Sequence, residues 1–234
     1  MKKLFVLFVA ILVLLGFGQA QASTVSSLTD IWLASQSDGT TVTGYFGIDT
    51  APTNSPVLVS ITAGNVLTFS ASGSTSVDGS CFAGPDGGCY LDESGLSPSP
   101  ASNTYKGPSD ALIGVFLTSA ITDVTTGPAS LDYTQSANIS QLTNTPSLNQ
   151  IFFIGDGLTG TGNGSVQNFV APTGATRLFL AVADSYGSSY NNSGSLTVDV
   201  DGATQGTPLP EPATMLLLGF GLMGLAGVRK RIKK

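Results

Sequence analysis

Eight runs of β-branched and aromatic residues, each of strand length and each bounded by Gly, Pro, Asn, Asp or Ser, occupy the middle of the 234-residue chain. They are TVTGYFGI (41–48), PVLVSI (56–61), NVLTFSAS (65–72), ALIGVFL (111–117), QIFFIG (150–155), VQNFVAP (166–172), TRLFLAVA (176–183) and GSLTVDV (194–200). None repeats its apolar residues with the helical period of 3.6, so a helical core is excluded, and short strands at this spacing predict an all-β protein, an antiparallel β-sandwich or jelly roll. The stretch VLVSITAGNVLTFSAS reads as two strands around a turn at Thr62–Asn65. Thr118 to Gln150 is rich in Ser, Thr, Asn and Pro and reads as a long excursion, 118–150, lying on one face of the sandwich. No internal repeat is visible.

The two ends carry a different kind of information. Met1-Lys2-Lys3 is a basic start, Leu4 to Phe17 is apolar, and Ala20-Gln21-Ala22 has the small-x-small form of a signal-peptidase site. Residues 1–22 are expected to be a signal helix cut between Ala22 and Ser23; the other reading is a retained membrane anchor. At the far end, Ala213 to Val228 is a 16-residue apolar run. As a helix it would span about 24 Å against a hydrocarbon core of about 30 Å, which is short for a permanent anchor. Arg229, Lys230, Arg231, Lys233 and Lys234 would hold its end in the cytoplasm and leave Pro210-Glu211-Pro212 just outside the membrane. The tripartite pattern of Pro-Glu-Pro, apolar helix and basic tail, 210–234, resembles the PEP-CTERM sorting signal. That resemblance implies recognition and removal by an exosortase-type transpeptidase, transient anchoring in the inner membrane through 213–228, and a final place on the cell surface or in the extracellular matrix. A plain tail anchor is the alternative. Between the ends, 23–54 reads as N-terminal strands or an extension, 55–202 as the sandwich, and 203–209 as a linker.

From Ser23 to Leu209 only Lys106 and Arg177 are basic, against fourteen acidic residues, a net charge of −12. Such a body has no basic patch for nucleic acid or an anionic membrane and favours a cation partner. Cys81 and Cys89 bracket the loop CFAGPDGGC, which in an exported chain reads first as a disulfide. The chain has no histidine, which removes Ser-His-Asp and Cys-His catalysis and the usual base near neutral pH. The adjacent acids Asp92-Glu93 sit in a Ser-, Gly- and Pro-rich loop and read as solvated rather than as a glycosidase pair. No enzymatic activity is expected.

The densest group of oxygen donors is ADSYGSSYNNSGS, Ala183 to Ser195. Asp184 offers a carboxylate, Asn191 and Asn192 offer amide oxygens, and the turn can aim backbone carbonyls inward. Calcium takes six to eight such oxygens at roughly 2.3–2.6 Å, but the same composition also suits a plain polar loop. Here the residues resemble a family. VLVSITAGNVLTFSASGS, ALIGVF, NFVAPTGATRLFLAVAD and DSYGSSYNNSGSLTVDV are similar, in order, to the calcium-dependent galactose-binding lectins of bacteria, from about Val57 to Asp201 with Thr118 to Gly164 as a departure. The resemblance implies one calcium held by Asp184, Asn191 and Asn192 with backbone carbonyls of Ser188 and Val77, and sugar contacts from Asp184, Ser188 and Asn191. In that family the sugar bridges to the metal through two hydroxyls. The family's first binding loop carries a histidine, whereas SVDGSCFAGPDGGCYLDESG has none, so the choice of sugar does not carry over. Tyr186 and Tyr190 could stack on a sugar or only shield the loop. Two functions follow as expectations: a calcium-stabilised lectin-like module binding polysaccharide, or a structural surface protein in which calcium only locks a loop.

Overall fold

The computed structural model describes residues 21–90, 105–129, 131–160 and 162–203. Residues 1–20 of the expected signal peptide, Asp92-Glu93, Pro210-Glu211-Pro212 and the apolar run 213–228 lie outside the described residues. Within them the protein is mostly β, with thirteen strands and one short α-helix. The strands are β1 (Gln21–Ser26), β2 (Thr41–Thr43), β3 (Ile48–Thr50), β4 (Val57–Ser60), β5 (Val66–Ser76), β6 (Leu112–Leu117), β7 (Thr143–Asn144), β8 (Ile151–Phe153), β9 (Leu158–Gly160), β10 (Asn163–Val166), β11 (Asn168–Val170), β12 (Arg177–Val182) and β13 (Ser193–Asp201). The helix α1 is Ser136–Ile139. One sheet has the order β1-β13-β5-β11-β7, a second β4-β12-β6-β8, and β2-β3 and β9-β10 form two small ribbons.

The alternation read in the sequence is the alternation that packs. In β13 Leu196, Val198 and Val200 are buried while Thr197 and Asp201 face outward, as a strand with one solvated face requires. In β6 every residue of LIGVFL is buried, the pattern of a strand covered on both sides. Phe152 of the four-stranded sheet stacks on Phe116 at 4.9 Å and meets Phe169 of the five-stranded sheet at 5.8 Å, so one apolar core serves both sheets. In the same cluster Tyr133 lies 5.8 Å from Phe153 of β8.

Several expectations change. TVTGYFGI is a hairpin, β2 and β3, because Gly44-Tyr45-Phe46-Gly47 turns the chain, with the Gly44 N–H donating to the Gly47 carbonyl at 3.0 Å. The turn Thr62–Asn65 is present, closed by Asn65 N–H to Thr62 O at 3.0 Å. Its two strands do not pair with one another, however. β4 pairs with β12 and β5 with β13 and β11, so the turn carries the chain from one sheet to the other. The sheets are not wholly antiparallel, since β7 runs parallel to β11. That short strand, α1 and the buried Tyr133 lie within the long excursion 118–150. Residues 23–54 share the common core: β1 pairs with β13, and Ile31, Trp32 and Leu33 are buried in a 3-10 turn capped by Asp30.

Candidate functional site

The long pairing of β5 with β13 decides which residues meet. Ser76, the last residue of β5, is opposite Ser193, the first residue of β13. The chain immediately beyond Ser76 is Val77-Asp78, and the chain immediately before Ser193 is Asn191-Asn192. Antiparallel register therefore brings these two pairs to one end of the sheet, where β12 also delivers Asp184 just past its last residue, Val182.

A cavity of about 280 Å³ opens at this end. Val77, Asp184, Ser188 and Asn191 line it, so four of the five sequence-derived calcium ligands share one pocket. Asn192 is the fifth; it is buried beside Asn191 and does not line the cavity. Its amide nitrogen donates to the Ser27 carbonyl at 3.0 Å, while its Oδ1 has no hydrogen-bond partner. Among the described residues no three Asp, Glu, Cys or His side chains gather as an all-charged metal site. The donor set is instead of mixed carboxylate, amide and carbonyl type, and a buried Asn oxygen without a donor is what a hard cation would satisfy. These residues fit calcium.

Reading by residue type missed half of the pocket. Asp78, Tyr90, Phe46 and Ser185 also line it. Asp78 accepts the Tyr90 hydroxyl at 2.6 Å, and the Ser80 hydroxyl and backbone N–H at 2.7 and 2.8 Å. The Tyr90 hydrogen bond above all, then those from Ser80, hold its carboxyl well below the ordinary range. The Cys81–Cys89 disulfide closes the loop between Asp78 and Tyr90. Tyr190 stands at the rim with its hydroxyl donating to the Phe46 carbonyl at 3.1 Å. Tyr186 does not reach the pocket, because its ring packs edge-on against Trp32 at 5.1 Å. A strand-level reading gives no sign that Phe46, 144 residues from Tyr190, belongs here.

The Asp184 loop is carried from beneath by two buried acids, Asp30 and Asp49. The Ser189 N–H donates to Asp49 Oδ2 at 2.8 Å, and the Trp32 N–H to Asp30 Oδ1 at 2.8 Å. Burial first, and the neighbouring Asp49 second, push the Asp30 carboxyl well above its usual range. Burial raises Asp49 as well. Neither cation of the body is near the pocket lining: Lys106 pairs with Asp132 at 2.8 Å, and Arg177 donates to Ser35 Oγ and to the Thr118 and Ile121 carbonyls.

A separate match concerns the far end of the chain. The PEP-CTERM protein-sorting motif matches residues 208–231. The chain ends in a sorting signal. It implies export, transient membrane anchoring and processing by an exosortase, with Pro210, Glu211 and Pro212 inside the matched segment. The match covers the tail and leaves the β body unassigned. No curated protein matches the chain.

Proposed function

We propose that the protein is an exported, calcium-dependent carbohydrate-binding module, its two main sheets packed as a β-sandwich and its pocket turned to polysaccharide at the cell surface or in the matrix after sorting. The observation that carries the reading is the convergence of Val77 with Asp184, Ser188 and Asn191 in one pocket from segments more than a hundred residues apart, under the Ser76–Ser193 register. Asp184, Asn191 and Asn192 would hold the ion with the carbonyls of Ser188 and Val77. When bound, calcium supplies a hard Lewis-acidic centre that accepts sugar hydroxyls as ligands. The protein's own part is to position that centre: Asp49 fixes Ser189, Ser27 fixes Asn192, and the disulfide fixes the loop that follows Val77. Asp184, Ser188 and Asn191 would then contact the sugar directly. Binding rather than catalysis suits a chain with no histidine.

The test is the unfolding midpoint of the purified protein in excess calcium and in chelator, followed by a glycan screen in calcium. A ligand at a hundred times its dissociation constant stabilises by about 2.7 kcal/mol, a shift of a few degrees. No shift would reject the calcium site. A shift without any glycan bound would favour the second reading, a structural surface protein whose loop is locked by calcium, for which the existing support from Asp49 and Ser27 is the favouring observation.

A further inference from the structure

Five aromatic side chains among the described residues stay exposed: Tyr45, Phe46, Phe82 within the disulfide loop, Tyr90 and Tyr190. Three of them, Phe46, Tyr90 and Tyr190, line the cavity that also holds Asp78 and Asp184. Their positions are built. The Tyr190 ring lies so close to the Gly47 backbone that a Cβ on Gly47 would fall 2.0 Å from it, and Gly44 approaches the Tyr186 carbonyl so closely that a Cβ there would fall 1.7 Å from the oxygen. The hairpin β2–β3 therefore docks onto the Asp184 loop through two glycines and delivers Phe46 to the rim. Tyr45 backs Phe46 edge-on at 4.9 Å. On the opposite wall Tyr90 is held by Asp78 across the disulfide loop.

We infer that the hairpin tip and the disulfide loop form a saccharide subsite, with Phe46 as the stacking face and Asp78 as the charge that turns acids away, that selects neutral sugars over acidic ones. The inference rests on the carbohydrate reading above and adds to it the residues that choose the ligand. A pyranose presents an apolar C–H face that suits an exposed ring, and Phe46 offers one in the cavity that Asp78 also lines. An oriented aromatic also loses little conformational entropy on binding. Charge supplies the selection. One bound calcium is balanced by the two carboxylates of the pocket, Asp78 and Asp184, and no Lys or Arg lines it. A uronate or sulfate would thus enter a pocket without surplus positive charge and meet the Asp78 carboxylate, whereas a neutral sugar meets no such repulsion.

Matched sugar pairs test this by titration calorimetry on the purified protein in calcium: galactose with galacturonate, glucose with glucuronate, mannose with mannuronate. The neutral member of at least one pair should bind about tenfold more tightly than its acid, Phe46→Ala should weaken it about tenfold, and Asp78→Asn should remove most of the preference. Both variants change exposed side chains, and unchanged circular dichroism checks the fold. An acid that binds as well as its neutral partner, or affinities unmoved in both variants, overturns the subsite while leaving calcium-dependent sugar binding in place. Binding that persists in chelator but is lost in Phe46→Ala overturns the calcium-bridged reading and upholds the subsite. If no sugar of any pair binds in calcium, the subsite and the carbohydrate reading both fall.

Discussion

Asp49 Oδ2 accepts the backbone N–H of Ser189 at 2.8 Å, across 140 residues of chain. Through this bond, and through Asp30 beneath it, the N-terminal segment sets the shape of the loop that carries Asp184, Ser188 and Asn191. A pocket whose ligands lie late in the sequence is thus shaped by residues that lie early.

The buried pair gives a pH dependence of definite sign. Asp30 in the folded protein holds its proton above the ordinary carboxylate value near 3.8, so the stabilisation it brings is complete below that value and is lost as pH rises through the elevated one. The groups facing it are Asp49 and the Tyr186 phenol, itself pushed upward by burial and then by Asp30. Asp30→Asn keeps an oxygen for the Trp32 N–H and an N–H for Asp49, and it cannot ionise. Its unfolding midpoint should gain on the native protein as pH rises above the ordinary carboxylate range. Parallel curves for the two proteins would show that Asp30 does not titrate in this way.

Asp184→Ala should abolish the calcium-induced rise in unfolding midpoint, because it removes the carboxylate from the inferred ligand set. Differential scanning calorimetry with and without calcium reads the effect. An undiminished rise in the variant would place the ion elsewhere.

The disulfide closes a nine-residue loop, counting both cysteines. Loop-closure entropy for that length is worth about 2.5 kcal/mol of stability. A Cys81→Ser, Cys89→Ser double variant should unfold at correspondingly lower denaturant and should bind sugar more weakly, since Asp78 and Tyr90 flank the released loop. Retained affinity despite the lost stability would separate the loop from recognition.

Gly47→Ala places a methyl group where the Tyr190 ring now lies. Either the Tyr190 ring must swing aside or the hairpin tip must lift, and each disturbs the Tyr190–Phe46 contact at the pocket rim. The expected outcome is a loss of sugar affinity with a destabilisation of about 1–3 kcal/mol, the usual range for an overpacked contact, measured by titration calorimetry and urea unfolding together. Full affinity would mean that the hairpin contributes nothing to the site.

Glu211→Ala tests the tail. Residues 208–231 match the sorting motif, and the variant should accumulate as a full-length, membrane-held precursor on immunoblots of fractionated cells. Normal processing would reject Pro-Glu-Pro as the recognised feature.

Features that depend on neighbours in the chain were legible in the sequence. The period-two alternation of β13, the continuous apolar run of β6, the Thr62–Asn65 turn and the nine-residue cysteine loop each follow from residues a few positions apart. Strands without such a signature escaped it: β1 is a polar run, QASTVS, ordered by pairing with β13, and β7 is two residues added to the edge of β11. The oxygen-rich segment Asp184–Asn192 was visible by composition, and Val77 and Ser188 came only through resemblance. The rest of the pocket was decided by the tertiary structure. Only the register of β5 against β13 brings Asp78 and Asn191 to one pocket, and only the docking of two glycines onto a distant loop brings Phe46 to Tyr190. Burial of Asp30 and Asp49 is likewise a product of the whole fold. An acid in a sequence is an ordinary solvated charge until packing removes the water from around it.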